Sequence, residues 1–218
     1  MKPRICSAAV AGSILLLAAR SVQGGGTNVV YTYAGSFNLA IPADPLESRG
    51  WMQDAVICVP RHIVVVDLNV LVNIRHTAAF DLQLFLKGPS GRVVKLAASE
   101  PREGYYKGAD YAGTQFDDEA ETSIQDASPP FTGSFRPYGA LTVFDGHDAY
   151  GAWTLEVYDA YYGDVGRLDS FALTITGPPA ADIVEVPAPP AGILVILGAA
   201  FLKTARRPCH EPPALASS

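Results

Sequence analysis

The chain has 218 residues, with 16 Lys and Arg against 22 Asp and Glu and a formal net charge of −6. A hydrophobic fraction of 49%, with ten Tyr and nine Phe, excludes intrinsic disorder for the middle of the chain. The excess of acidic residues argues against nucleic acid as the main partner, because no basic face is left to neutralise phosphates.

The first 23 residues have the pattern of a secretory signal peptide. Lys2 and Arg4 give a positively charged start, and the apolar run from Ala8 to Ala19 that follows is too short to span a bilayer comfortably. We therefore predict that residues 1–23 are a signal peptide and that the chain is exported. The alternative is an N-terminal membrane anchor that is retained.

Residues 24–180 have the alternating pattern of β-strands and are predicted to form one domain. Apolar and polar residues alternate along 64–74, 82–86, 153–157 and 171–175, and shorter candidate strands are 29–33, 36–41, 92–97 and 141–144. Glycine-containing turns at 88–91 and 163–166 join neighbouring strands. The pattern predicts an all-β fold, a jelly-roll β sandwich of about eight antiparallel strands. The stretch 100–138, rich in Gly, Pro and acidic residues, is predicted to be a long loop.

The C-terminal segment divides into three parts. Residues 181–190 form a proline-rich spacer that includes Pro187, Pro189 and Pro190, residues 191–207 combine a short hydrophobic helix with a cluster at Arg206 and Arg207, and residues 208–218 are a tail. This order of features resembles the PEP-CTERM sorting signal of Gram-negative bacteria. The resemblance implies transient insertion in the inner membrane, cleavage by an exosortase-type protease, and delivery to the cell surface or extracellular matrix. The alternative is an ordinary C-terminal membrane anchor.

Cys58 is the one cysteine that both predicted cleavages leave in place, because Cys6 and Cys209 lie in the removed ends. It stands in an apolar run, residues 55–59. We therefore predict a buried small hydrophobic side chain rather than a nucleophile, and no disulfide within the processed chain.

Several motifs occur in the order of a known domain. They are His76-Thr77, Asp81-Leu82 with Leu84 and Leu86, Gly88-Pro89-Ser90-Gly91, Phe116-Asp117-Asp118 with Ala120, Phe144, Gly146, Gly151-Ala152-Trp153-Thr154-Leu155 with Val157 and Asp159, and Gly166, Leu168, Phe171, Leu173 and Ile175. Together they resemble the P domain, or homo B domain, of proprotein convertases over about residues 55–177. The resemblance implies a jelly-roll sandwich that packs beside a subtilisin-like protease and stabilises it. In bacteria such domains also occur in proteins without any protease.

Catalysis is not expected of this chain. A subtilisin-like catalytic domain needs more residues than the whole sequence has, and no Gly-x-Ser-x-Gly nucleophile motif is present. The resemblance places His76 at a strand end, where a structural role is favoured over catalysis. His147 is either a metal ligand or, as we favour, a solvated loop histidine.

Acidic residues in the predicted turns suggest a cation site. Residues 24–186 carry 10 Lys and Arg against 21 Asp and Glu, and calcium in proteins takes six to eight oxygen ligands from such loops. Some bacterial relatives of the resembled fold hold calcium. We therefore single out Asp117, Asp118, Asp145 and Asp148 as ligands of a structural calcium ion. The alternative is that these residues are solvated turn carboxylates.

Two functions follow from the sequence. The first is a non-catalytic surface or matrix protein that binds an extracellular protein or polysaccharide through exposed aromatic rings, for which Tyr105, Tyr106, Tyr161 and Tyr162 are the candidates. The second is an accessory module that docks on a separately encoded subtilisin-like serine endopeptidase and stabilises it. An apolar patch on the sandwich would favour the second function.

Overall fold

The computed structural model describes residues 27–44, 46, 49–99 and 108–179. These residues form ten strands: β1 (Val29–Ile41), β2 (Gly50–Trp51), β3 (Ala55–Val59), β4 (Asp67–His76), β5 (Leu82–Lys87), β6 (Val93–Ala97), β7 (Tyr111–Phe116), β8 (Phe131–Phe135), β9 (Gly151–Asp159) and β10 (Gly166–Gly177). Helical structure in the same residues is limited to three 3-10 turns, at Ala79–Asp81, Ile124–Asp126 and Leu141–Phe144. None of these turns could cross a membrane.

The strands form two five-stranded sheets. Sheet A has the order β1-β10-β4-β7-β8, and sheet B has the order β2-β9-β5-β6, with β3 also pairing with β9. The all-β sandwich predicted from the sequence is confirmed, and its jelly-roll connectivity stays a prediction. The expectation of purely antiparallel pairing is wrong at one edge, because β7 and β8 run parallel. The chain between them passes through the turn Ile124–Asp126 before it returns to the same edge.

The core lies between the sheets and uses the alternating positions that the sequence marks. The apolar side chains with at most 2% exposure on β4, β5, β9 and β10 are Leu68, Val70, Val72, Ile74, Leu82, Leu84, Leu86, Trp153, Leu155, Val157, Leu168, Phe171, Leu173 and Ile175. Burial of one such side chain stabilises a fold by roughly 1.5–3 kcal/mol. The indole N–H of Trp153 donates to the Ala149 carbonyl at 2.9 Å, so this large side chain is buried without an unsatisfied donor.

Two strand boundaries differ from the prediction. The strand predicted over 64–74 begins three residues later, because Val64 pairs with Asp148 instead of entering sheet A. The candidates 29–33 and 36–41 are one strand, β1, whose register with β10 shifts between Ser36 and Leu39. The burial pattern alternates along the whole of β1, but the small residues Ala34, Gly35 and Ser36 leave a gap in the row of large apolar side chains, so the sequence suggests two strands.

Two further segments were predicted wrongly. Residues 141–144 form a 3-10 turn rather than a strand, and the Asp118 carboxylate accepts hydrogen bonds from the amides of its first two residues, at 3.0 and 2.8 Å. The predicted loop 100–138 contains β7 and β8. Gly113 and Gly133 have φ angles of 65° and 96° in these strands. Because such residues interrupt the period of two, the sequence hides both strands.

Cys58 is exposed, so the prediction of a buried side chain is wrong. On β3, Ala55, Ile57 and Val59 face the core, and the alternation places Cys58 on the outer face of sheet B. A run of five apolar residues gives no sign of which face each side chain takes.

The terminal predictions lie outside the described residues. They are the signal peptide 1–23, the spacer 181–190 with Pro187, Pro189 and Pro190, the segment 191–207 with Arg206 and Arg207, and the tail 208–218. Tyr105 and Tyr106 lie outside the described residues as well.

Candidate functional site

The adjacent carboxylates Asp117 and Asp118 both accept hydrogen bonds from main-chain amides, Asp117 from its own turn and Asp118 from a turn distant in sequence. Asp117 accepts from the Glu119 amide at 2.9 Å and from the Gln115 side chain at 3.2 Å. Asp118 accepts from the amides that begin the turn Leu141–Phe144. Both side chains therefore have a structural role that follows from Asp capping of turns.

An acidic cluster forms around the first residue of β4. Burial raises the pKa of Asp67, and the charges of Asp117 and Asp118 raise it further, although hydrogen bonds from the Leu68 amide and the Thr176 hydroxyl lower it. Asp67 was missed by the sequence analysis, because it stands at a polar position of an alternating strand. Its place beside the Asp117-Asp118 pair depends on strand pairing that the sequence does not reveal.

Asp145 and Glu119 belong to the same cluster. Burial raises the pKa of Asp145, and the charges of Asp67 and Asp118 add to this effect. The side-chain hydrogen bond that Glu119 shares with Asp117 is the main cause that raises the pKa of Glu119. The structure therefore brings three of the four predicted calcium ligands into one neighbourhood, where their charges repel one another.

Asp148, the fourth predicted ligand, makes a different set of contacts. Its carboxylate lies 2.6 Å from Nδ1 of His62 and accepts a hydrogen bond from the Tyr150 amide at 3.0 Å. Burial raises the pKa of Asp148, but the hydrogen bonds from His62 and the Tyr150 amide outweigh burial and hold it below the usual range. The His62 ring also stacks on Tyr150, with centroids 4.3 Å apart.

A calcium site would need several of these carboxylates to converge on one point. Within the described ranges, no group of three or more His, Cys, Asp or Glu side chains is placed to hold a metal ion. The predicted set is divided between the acidic cluster and the His62 pair, and Asp118 already binds two amides. No chemistry is therefore assigned to a metal, and calcium stays a prediction of the sequence. His147 contributes main-chain contacts, accepting from the Val65 amide and donating to the Phe144 carbonyl.

His76 is part of a sealed hydrogen-bond network. Its Nε2 lies 3.2 Å from the Asp159 carboxylate, and neither side chain is exposed to solvent. Its Nδ1 lies 2.9 Å from the Ala78 carbonyl, and Asp159 also accepts from the Tyr161 amide. The pair joins the end of β4 to the end of β9. Because no substrate can reach it, the arrangement fits a structural histidine and not a general base.

Tyr161 and Tyr162 lie on the turn between β9 and β10 and are exposed by 40% and 64%. The guanidinium of Arg49 lies 4.3 Å from the centroid of the Tyr162 ring, a distance typical of cation–π contact. The contact places the cation of Arg49 beside the two predicted tyrosines.

Sequence analysis missed a larger aromatic surface on the outer face of sheet B. Trp51 packs on Tyr158 and Phe85, with ring centroids 4.8 and 5.9 Å apart. Lys95 Nζ lies 5.3 Å from the Phe85 centroid and 5.4 Å from the Tyr138 centroid. We name these five residues, together with Arg49 and Tyr162, the aromatic strip. Phe85 and Tyr158 occupy the polar positions of alternating strands, and this was the signal that could have revealed the strip.

Comparison with known proteins gives one family. The model of the proprotein convertase P-domain matches residues 65–175. Among solved structures, the serine protease of Aeromonas sobria is 19% identical with a TM-score of 0.45, and the complex of that protease with its chaperone is 20% identical with a TM-score of 0.45. In both, the match covers 72% of this chain and 28% of that chain. No curated protein matches the sequence.

Proposed function

The chain belongs to the proprotein convertase P-domain family, and on this premise we propose that it is a non-catalytic accessory module that docks on a separate subtilisin-like serine endopeptidase and stabilises it. The observation that carries the proposal is the family match, which begins two residues before β4 and ends two residues before the end of β10. The His–Asp pair within this region supports a non-catalytic role, because both side chains are sealed in the core.

We place the docking contact on an apolar row beside β4, which we name the valine patch: Val64, Val66 and Tyr150. The three side chains are exposed by 49%, 47% and 39%. They lie together because Val64 pairs with Asp148, and Tyr150 stacks on His62, two residues before Val64. An exposed apolar row with an aromatic ring at one end has the composition of the centre of a protein interface.

The test uses the full-length chain and a purified subtilisin-like protease exported by the same cell. We expect the two to elute together in size-exclusion chromatography, and Val66→Asp to abolish the complex. Val165→Asp is the matched control, because Val165 is equally exposed but lies at the other end of β10. Separate elution of the unmodified chain and the protease would contradict the proposal. Equal loss of the complex in both variants would contradict the placement on the valine patch.

Export and C-terminal processing are proposed on the sequence alone. The features that support them are the signal peptide pattern in residues 1–23 and the proline, apolar and arginine segments in residues 181–207. They would deliver the domain to the cell surface or matrix, where it could contact an exported protease. Intact-mass measurement of the protein recovered from the cell surface tests this proposal: both ends should be absent, and a full-length mass would contradict it.

A further inference from the structure

The aromatic strip crosses the whole width of sheet B. Trp51 is on β2, Tyr158 on β9, Phe85 on β5 and Lys95 on β6. Tyr138 continues the row, because its amide donates to the Leu96 carbonyl at the outer edge of β6. Four steps between neighbouring elements of about 4.8 Å give a row roughly 19 Å long. The rings of Trp51 and Tyr138 are exposed by 43% and 50%.

The same face carries cations that are not neutralised within the fold. Arg49, Lys87 and Lys95 form no salt bridge with any carboxylate in the described part of the chain. The strand positions that face outward here include one acidic residue, Glu156, opposite Phe85. Elsewhere, Arg75 and Arg167 both pair with Asp169. A cationic face on an acidic chain is complementary to an anionic partner.

The arrangement fits a polysaccharide better than a protein. Lys95 lies between the Phe85 and Tyr138 rings, whereas the centres of protein interfaces are depleted in charged residues, Lys in particular. The rings lie in a row on a sheet and do not converge on one apolar pocket. A row of aromatic faces, with cations at intervals and Thr154 and Glu156 beside them, can stack on successive sugar rings and bind their hydroxyl and acidic groups.

We propose that the aromatic strip binds an anionic polysaccharide, with the rings of Trp51, Tyr158, Phe85 and Tyr138 stacking on the sugars and Arg49, Lys87 and Lys95 pairing with their acidic groups. This function is independent of docking on a protease, which we place on the valine patch. It gives the domain a means of attachment to an acidic matrix.

The fluorescence of Trp51 can be used to measure this binding. The chain has two tryptophans, and Trp153 is buried with 1% exposure, so acrylamide quenching reports mainly on Trp51. The full-length chain is titrated with polygalacturonate, with dextran as a neutral polymer and with poly-L-glutamate as an anionic peptide. We expect polygalacturonate alone to protect Trp51 from acrylamide, with affinity that falls as salt is added.

Two variants and one control test the residues. Lys87→Gln combined with Lys95→Gln should weaken binding of polygalacturonate by about tenfold or more, and Tyr138→Ala by about tenfold, the loss of one stacked ring. Arg61→Gln removes one cation outside the strip and should leave binding unchanged. Far-ultraviolet circular dichroism confirms that each variant is folded.

Three results would overturn the proposal. Dextran that protects Trp51 as well as polygalacturonate would exclude the pairing of the cations with acidic groups. Poly-L-glutamate that binds equally, with the same response to the variants, would identify a surface for acidic proteins instead. An absence of protection by every polymer would exclude a polymer site on this face.

Discussion

His76 and Asp159 form a hydrogen bond of 3.2 Å inside the sandwich, between the end of β4 and the end of β9. Both side chains are fully removed from solvent. A histidine beside a carboxylate is a familiar catalytic arrangement, but here it joins two strand ends and positions the turn before β10 through the Tyr161 amide. The pair therefore holds the ends of two strands and the turn that follows them together.

Replacing Asp159 should therefore destabilise the fold. Asp159→Ala leaves His76 Nε2 and the Tyr161 amide without their partner, and we expect the free energy of unfolding to fall by about 2–4 kcal/mol. Asp164→Ala is the control, because it removes an exposed acceptor of the Thr77 hydroxyl and should change stability by less than about 1 kcal/mol. Urea unfolding measures both. Equal stability of Asp159→Ala and the unmodified chain would show that the buried pair is not structural.

Gly166 is required by close packing against the end of β4, which carries His76. A Cβ atom there would meet the Arg75 carbonyl oxygen at 2.2 Å and His76 Cδ2 at 2.5 Å. Gly166→Ala should therefore lower stability by about 1–3 kcal/mol or more, the usual cost of overpacking. Gly139→Ala is the comparison, because its nearest contact would be 3.4 Å. A melting temperature for Gly166→Ala equal to that of Gly139→Ala would contradict the packing argument.

Asp67 should make the domain less stable at neutral pH than at acid pH. Burial and the neighbouring carboxylates raise its pKa above 3.8 in the folded state, so the folded state binds this proton more tightly than the unfolded state. The resulting stability is present below pH 3.8 and is lost as pH rises through the folded pKa. Asp67→Asn should thus raise the melting temperature at pH 7 and leave it unchanged near pH 3. A lower melting temperature at pH 7 would contradict this sign.

Asp148 should change the pH dependence of stability in the direction opposite to that of Asp67. Its pKa is lowered in the folded state by hydrogen bonds from His62 and the Tyr150 amide, which outweigh burial. Its contribution is therefore present above pH 3.8 and is lost as pH falls through the lowered folded pKa. Asp148→Asn should lower the melting temperature at pH 7 and not at pH 2. Because the pair is half-exposed, the effect should be small.

Tyr161 and Tyr162 should matter for binding rather than for stability. Both rings are well exposed on the turn between β9 and β10. The double variant Tyr161→Ala with Tyr162→Ala should keep the melting temperature within a few degrees of the unmodified chain, since surface substitutions usually change stability by about 0.5 kcal/mol or less. It should weaken polygalacturonate binding, because Tyr162 belongs to the aromatic strip. A large drop in melting temperature would instead show that these rings stabilise the fold by packing.

Melting temperatures of aspartate variants, measured in calcium and in chelator, also test the calcium hypothesis. The sequence hypothesis, a structural calcium ion bound by Asp117, Asp118, Asp145 and Asp148, predicts a melting temperature that rises with calcium and a smaller rise in both Asp145→Asn and Asp148→Asn. A rise that shrinks in Asp145→Asn and persists in Asp148→Asn, whose carboxylate pairs with His62, would limit the site to the acidic cluster. An unchanged melting temperature in calcium and in chelator would support the alternative of solvated turn carboxylates.

The sequence predicts the central strands because one face of each strand is buried. Trp153 and Leu155 alternate with polar residues, and the period of two is visible without knowledge of the partner strand. Where both faces are apolar, as around Cys58, the period vanishes and the prediction failed. Positive φ angles at Gly113 and Gly133 hid two strands in the same way.

The sites were harder to predict because they depend on long-range pairing. Asp67 interacts with the charge of Asp118, although 51 positions separate them in the sequence. Trp51 contacts Phe85 across strand β9, which lies between their two strands. Nothing local to these residues indicates such neighbours. The pattern did contain one clue, since Phe85 and Tyr158 are aromatic residues at positions where an alternating strand faces solvent.

The half-life of a subtilisin-like protease at elevated temperature, measured with and without this chain, tests the accessory function most directly. The protease is one exported by the same cell, and its activity is followed on a peptide substrate in the presence of the full-length chain or of Val66→Asp. We predict that the chain alone hydrolyses no peptide, that it extends the half-life of the protease, and that Val66→Asp does not. Peptide hydrolysis by the chain alone, or a half-life that does not change, would contradict the account.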